Sequence, residues 1–476
     1  MNQKTVIHMW ALSWIFGLSL PMAIVSAAQL PHIFILFVDD MGYGDPRSFN
    51  PDSKLELTNI DRLAAGGMRF TDAHAPGPLC HMSRYGLMTG RYPFRTDVSR
   101  WPSEPLIKNG QATLASMLKS QGYHTSMVGK WHCGFQEQGY DQPLPGGPVD
   151  VGFDTFFGIR ASTDIPPYFY IRQNHAVAPP TLDITAHASE GWSPIQGAFW
   201  RAGKIATDLQ LENVLPRFIE EAESVISNHA GQAELQPLFL YLALPAPHTP
   251  WLPSEEYRGK SKVGLYGDFA EMVDKMLGRV IAAMERAKML DDALIIFTSD
   301  NGPVWYEEDA KRFAHDSCGP WRGMKADAWE AGHRMPFIVR WPGHVAPASE
   351  CSQTICFTDL FATLAKITGY ETKPEDGPDS FDFSLALAGN PGPVRPSLAM
   401  ASGSGLMTVR QGPWKLIAGL GSGGFSEPRR EQAQAGGPAG QLYNLADDPA
   451  ESNNLYVSQP EIVKQLQAEL DRLVAQ

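Results

Sequence analysis

The chain has 476 residues, 43% of them hydrophobic and 19% charged, with a formal net charge of -13. That composition excludes a disordered chain. The acidic balance argues against a nucleic-acid binder, whose footprint is a basic excess, and leaves anion binding only to a pocket with its own local cations. The length allows more than one domain and a large core, and 44 Gly and 38 Pro suit an enzyme with long functional loops.

Residues 1–27 read as a signal peptide. Lys4 gives a thin positive start, Val6 to Val25 is almost wholly apolar, and Val25-Ser26-Ala27 offers a small-residue cleavage site. An uncleaved anchor is the rival reading, because the run approaches spanning length. Pro21 and the small residues favour cleavage. The expected product is exported, periplasmic or secreted, without stable membrane insertion. The sequence holds no Asn-x-Ser/Thr acceptor, which fits a bacterial source.

The apolar run His32 to Val38 has the form of a strand buried on both faces and ends in Asp39-Asp40. Asn59 to Ala65 has the pattern of a helix capped by Thr58 and stopped by Gly66-Gly67. The segment LCHMSRYGLMTG follows, with Cys80 four residues before Arg84. Cys80 reads equally as a structural thiol, a disulfide half, a metal ligand or a nucleophile. GKWHCG places Lys130 and His132 two apart, on one side of an extended segment. A packed Trp131 beside a solvated Lys is the plainer reading of that hexamer.

Two more buried strands are expected. Leu238 to Leu244 runs into PAPHTP, where prolines aim His248. Ala293 to Ser299 ends in Asp300-Asn301. Between them, Asp268 to Lys288 carries apolar positions at helical spacing around a tolerated Gly278. Lys325 lies in WRGMKADAWEAGHRMPFIVRWPG. A Gly-rich loop, Gly419 to Gly440, sits among short strand-like pieces before a terminal helix at Pro460 to Ala475. The pattern predicts an α/β fold: a large, mostly parallel mixed sheet flanked by helices over residues 28–385, with a small C-terminal α+β subdomain and its antiparallel sheet over 386–476.

In such sheets ligands bind beyond the carboxyl ends of the strands. Asp39, Asp40, Asp300 and Asn301 are oxygen donors suited to a hard cation. Each pair alone reads as a strand-end turn; two pairs after two buried strands point to a metal. His132 and His248 can move protons, while Lys130 and Lys325 supply positive charge. Cys133 reads as packing. His315 and His333 could line a pocket or satisfy local hydrogen bonds. The five cysteines are an odd number, so at least one is unpaired or chemically altered; Cys351 and Cys356 are near enough in sequence to pair.

Taken in order, FVDDMGYGD, TNIDRLAAGGMRFTDAHA, CHMSRYGLMTGRYPFR, GKWHCG, PAPHTPWLP, TSDNG, RGMKADAWEAGHRMPFIVRWPG and QLYNLADDPAESNNL resemble segments of the type I sulfatase family, of the alkaline-phosphatase-like superfamily. The resemblance spans nearly the whole mature chain. It implies that Cys80 is oxidised by a maturation enzyme to formylglycine, whose hydrated aldehyde attacks sulfur with one hydroxyl and expels sulfate through the other. It implies a Ca²⁺ site, Mg²⁺ being the alternative, formed by Asp39, Asp40, Asp300 and Asn301 beside residue 80. Arg84 would back the hydrated aldehyde. Lys130 and Lys325 would neutralise sulfate oxygens. His132 would take the proton that releases sulfate, and His248, with Lys325, would protonate the departing alcohol. Ser162, in IRASTD, would hydrogen-bond a sulfate oxygen.

The chain departs from the family at one point of the signature. Met82 stands where the family has proline, sometimes alanine. The expectation is that conversion of Cys80 is slow, partial or absent. The implied substrate is a sulfated carbohydrate or another small sulfate ester. The rivals are a phosphoesterase of the same superfamily and a non-catalytic binder of sulfated glycans. Tyr168, Tyr170, Trp192 and Trp200 suit sugar rings or ordinary core packing. The loops at 160–201 and 306–315 are expected to set specificity.

Overall fold

The three expected strands lie side by side in the computed structural model, which describes residues 1, 30–101, 104–232 and 236–476. His32–Val38 sits between Leu238–Ala243 and Ala293–Ser299 and runs parallel to both. Ile33 through Val38 are fully buried. Burial on both faces is why these runs are continuously apolar, and each such Leu, Ile or Phe contributes about 1.5–3 kcal/mol. His124–Lys130 and then Thr155–Ile159 extend the parallel side. On the opposite flank Phe337–Arg340 and Met68–Phe70 enter antiparallel to their predecessors. Ser349–Cys351 closes that edge, and Ile171–Arg172 with His175–Ala176 closes the other, making ten strands.

The register aligns the strand ends. Val38 is level with Ser299, Phe37 with Ala243, Ala243 with Gly129, and Lys130 with Ile159. The residues that follow these positions therefore emerge at one edge of the sheet.

Thr58 is inside the Thr58–Ala65 helix rather than its cap. The capping is tertiary: Asp274, on the Gly264–Arg286 helix, accepts from Asn59 N and Ile60 N, both at 2.9 Å. Gly278 has a matching explanation. A Cβ there would lie 2.8 Å from the Asn59 side chain, so the close approach of the two helices requires glycine.

Leu398–Ala401, Met407–Gln411, Trp414–Ile417 and Gln441–Asn444 form the antiparallel C-terminal sheet. The helix Pro460–Ala475 covers it with Leu466, Leu470 and Leu473, one helical face. Pro31–Gln476 form one compact unit. A buried ionic network links this sheet to the larger one. Lys415 Nζ lies 3.0 Å from Glu330 and 2.9 Å from Glu451, and Arg410 lies 2.6 Å from Asp72.

All five cysteines are free and buried. Cys351 pairs opposite Phe70 and Cys356 opposite His74, on separate short strands, so the suggested Cys351–Cys356 disulfide does not form. The expected signal peptide lies, apart from Met1, outside the described residues. Among the described residues no helix is long and apolar enough to cross a membrane.

Candidate active site

The strand ends bring Asp39, Asp40, Asp300 and Asn301 together. Asp300 Oδ1 accepts from Asp40 N at 3.2 Å, and Asn301 Nδ2 donates to Asp40 Oδ1 at 2.6 Å. Cys80 opens the helix Cys80–Thr89, its Sγ 3.6 Å from Asp39 Oδ1. Arg84, one turn on, gives Nη2 to Asp39 (2.9 Å) and Asp300 (3.0 Å) and Nη1 to Lys130 O (2.9 Å). The i, i+4 spacing places Cys80 and Arg84 on one helical face. Lys130 Nζ meets Asp39 Oδ2 at 2.5 Å; Lys325 Nζ meets both oxygens of Asp40, at 2.7 and 2.8 Å.

Three carboxylates thus face three fixed cations in a buried space, and the electrostatics follow. Burial alone would raise Asp39, but Lys130, His248 and Arg84 outweigh it and hold the carboxyl well below its usual range. Asp300 is raised by burial and by the charge of Asp39. Burial and the charges of Asp300 and Asp39 push the Cys80 thiol well up, so the encoded thiol stays protonated rather than forming a thiolate nucleophile. Lys325 is held charged by Asp40 against the cost of burial.

The two histidines differ in how they are held. Lys130 ends its strand, but His132 has a left-handed backbone, φ 60°, which corrects the expected extended segment. The turn puts the imidazole under Trp101, ring centroids 4.2 Å apart, with His81 6.0 Å away. Burial and Lys130 keep His132 neutral. His248 gives Nδ1–H to Thr249 O at 2.6 Å, leaving Nε2 facing Asp40 Oδ2 at 3.6 Å. Nε2 is therefore the atom free to take or give a proton. Ser162 is buried on the same rim, two residues before Asp164, whose Oδ1 is 3.9 Å from His248 Nδ1.

Several buried polar atoms here make no hydrogen bond to the protein: Asn301 Oδ1, both ring nitrogens of His132, Ser162 Oγ and Asp164 Oδ1. Such groups are rare in native structures and mark positions completed by something else. Asn301 Oδ1 joins the carboxylate oxygens of Asp39, Asp40 and Asp300 as an all-oxygen donor set that fits a hard divalent cation. Asp39, Asp40, Cys80 and His248 each offer a ligand atom within 4.8 Å of the others. With three cations already balancing three carboxylates, a divalent ion would leave the pocket positive, as an anionic substrate needs.

Sequence reasoning missed His81, Trp101 and Asp164. No motif marks Trp101, which reaches His132 only through the fold, and Asp164 sat unselected beside Ser162. His315 and His333 prove to be internal. His315 Nε2 bonds Asp45 at 2.9 Å, and His333 Nδ1 lies 3.0 Å from His74 Nδ1. Tyr168 and Tyr170 are core residues, 4% and 5% exposed. Trp192 packs on Trp251 and Phe313, and Trp200 stacks on His187. The expected loop at 306–315 contains the helix Glu307–Phe313.

A mostly parallel sheet with acidic, amide, cationic and imidazole groups at its carboxyl edge suits an ester hydrolase acting at an anionic centre. The chain belongs to the sulfatase family, whose model, described as Sulfatase, matches residues 31–370. It is 31% identical to the N-acetylgalactosamine-6-O-sulfatase of Bacteroides thetaiotaomicron, covering 92% of each chain. It is also 31% identical to human arylsulfatase A, over 94% of this chain and 90% of that protein. A solved Bacteroides thetaiotaomicron structure, described under the metabolism of multiple glycosaminoglycans, superposes with a TM-score of 0.81 at 29% identity. That match covers 94% of this chain and 100% of the other. Members of the family are sulfuric ester hydrolases, and this chain is one.

Proposed function

We propose that the protein hydrolyses a sulfate ester on a sulfated carbohydrate, with an N-acetylgalactosamine 6-sulfate unit as the first substrate to try. The observation that carries this reading is Cys80 held against Asp39, which Arg84 and Lys130 also contact, with Lys325 on Asp40 and with Asn301 Oδ1 and both His132 nitrogens buried without hydrogen-bond partners. Similarity to the N-acetylgalactosamine-6-O-sulfatase supports the choice of sugar.

Asp39, Asp40, Asp300 and Asn301 would hold calcium. The ion would supply charge neutralisation at the sulfuryl group and lower the pKa of the attacking hydroxyl. A formylglycine derived from Cys80 would supply that hydroxyl as a hydrated aldehyde, and a second one to expel sulfate. The chain's own residues do the rest. Lys130 and Lys325 bind sulfate oxygens and are held in place by Asp39 and Asp40. Ser162 Oγ donates to a third oxygen. Arg84 fixes Asp39 and Asp300 and orients residue 80. His132, neutral, accepts the proton whose loss releases sulfate. His248 Nε2 protonates the leaving sugar oxygen while Thr249 O steadies Nδ1.

Met82 qualifies maturation. It is buried in the first turn and packs so closely on Gly77 that a Cβ there would lie 2.9 Å from Met82 Cβ. We infer that aldehyde formation at Cys80 is incomplete in the wild-type chain. Helical hydrogen bonding begins at Ser83 N to Leu79 O, so proline at 82 displaces no helical bond. Met82→Pro is expected to raise the aldehyde fraction of the Cys80 peptide in mass spectrometry. Complete conversion of the wild type would sink this idea. Rates on matched aryl sulfate and aryl phosphate esters test the reaction class: sulfate should lead, and a faster phosphate rate would make the protein a phosphoesterase.

A further inference from the structure

The segment that carries Lys325 also lines a cavity of about 690 Å³ that none of the roles above uses. It is of ligand size. One wall contains Met324, the residue before Lys325, and another contains Trp305, four residues beyond Asn301. The third is Phe425 to Arg429, part of the Gly-rich loop. That loop is fixed against the Lys325 segment. Phe425 N and Ser426 N donate to Asp327 Oδ1 at 2.7 and 3.1 Å. A Cβ on Gly424 would come within 2.3 Å of Ala326, so only glycine allows the approach.

The lining chemistry selects a ligand. Of the indoles in the lining Trp321 is the partly exposed one and offers an aromatic surface to a sugar ring, whereas Trp305 and Trp329 are only 3% and 2% exposed. Trp321 Nε1 is buried without a partner, a donor for a ligand oxygen. The charges are mostly negative: Glu307, Glu308, Asp316 and Glu427 against Arg322 and Arg429. Arg429 is paired with Glu427 at 3.2 Å. Arg322 lies 3.6 Å over the Trp329 ring and donates to Glu451 O at 2.6 Å. Carboxylates accept bonds from hydroxyls but repel a second sulfate or a uronate.

We propose that this cavity binds the uncharged sugar that adjoins the sulfated one, and so selects chains in which the neighbour is neutral. The proposal rests on the sulfatase reading and deepens it.

Three substrates test it: 6-O-sulfated N-acetylgalactosamine alone, the same unit linked to galactose, and the same unit linked to glucuronic acid. The galactose-linked substrate should exceed the monosaccharide about tenfold in kcat/KM, and the glucuronate-linked one should show no gain. Trp321→Phe keeps the ring but removes the N–H, and should cut the galactose gain to about threefold or less. Glu308→Lys, at an exposed position, should shift preference towards the glucuronate-linked substrate. Equal kcat/KM for all three, or a wild-type preference for glucuronate, overturns the proposal. Calorimetry with the unsulfated galactose disaccharide separates the two readings. Binding that Trp321→Phe weakens upholds the cavity assignment even if no sulfate is released. Active enzyme with no such binding overturns the cavity alone.

Discussion

The role proposed for His248, protonating the leaving oxygen, has a signature in the leaving group. A sugar alkoxide needs the proton; a nitrophenolate hardly does. His248→Ala should therefore lower kcat on a sugar sulfate by about 10²–10⁴-fold and on 4-nitrophenyl sulfate far less. An equal loss on both would show that His248 positions rather than protonates. At this scale most of the site was legible. Asp39, Asp40, Asp300 and Asn301 follow buried strands in the sequence, and the fold places them together. His132 was legible as a residue but not as a geometry. Its left-handed backbone and its packing under Trp101 depend on a segment 31 positions away, which spacing does not reveal.

Helices and strands carry a different lesson. The buried strands announced themselves because a two-faced environment admits only apolar side chains, and their bounds matched to within a residue. The cap of Thr58–Ala65 did not, because Asp274 supplies it from another helix. Asp274→Ala should cost about 1–3 kcal/mol in urea unfolding, since it leaves buried donors unpaired. A loss no larger than that of a surface substitution would return the capping to local residues. The strand Leu398–Ala401 was not expected either; four apolar residues carry no period, and only pairing with Met407–Gln411 makes them a strand.

For the whole molecule, the join between the two sheets makes stability depend on pH. His74 Nε2 lies 2.9 Å from Asp72 Oδ1 and 3.1 Å from Arg410 Nη1, His74 Nδ1 lies 3.0 Å from His333 Nδ1, and His333 Nε2 lies 3.3 Å from Lys415 Nζ. Protonating both rings would set like charges against each other and against Lys415 and Arg410. Burial lowers His74, and burial with Lys415 lowers His333 well below 6.5. Their stabilising contribution is full above about pH 6.5 and is lost as pH falls through the lowered values. Glu451 acts in the opposite sense. Burial, then the charge of Glu330, raises it to about 7, so its contribution is present below 4.5 and fades as pH rises through about 7. Thermal unfolding should show Tm falling between pH 7 and 5, with a flatter profile in His333→Gln. An unchanged slope in that variant would remove the histidine pair from the explanation. Calcium should act on the whole fold as well. If the proposed site holds the ion, a hundredfold excess over Kd would add about 2.7 kcal/mol, so Tm should rise with Ca²⁺ and fall with a chelator. Asn301→Ala should blunt that response, and a full response would place the ion elsewhere.

Dependence of sulfate release on a group made from Cys80 is the core of the proposed mechanism. It is tested by measuring, in one preparation, free sulfate from 6-O-sulfated N-acetylgalactosamine and the aldehyde fraction of the Cys80 peptide, for wild type, Met82→Pro and Cys80→Ala. The rate should be proportional to the aldehyde fraction and absent in Cys80→Ala. Sulfate release that persists in Cys80→Ala, or that is indifferent to the aldehyde fraction, would contradict that mechanism.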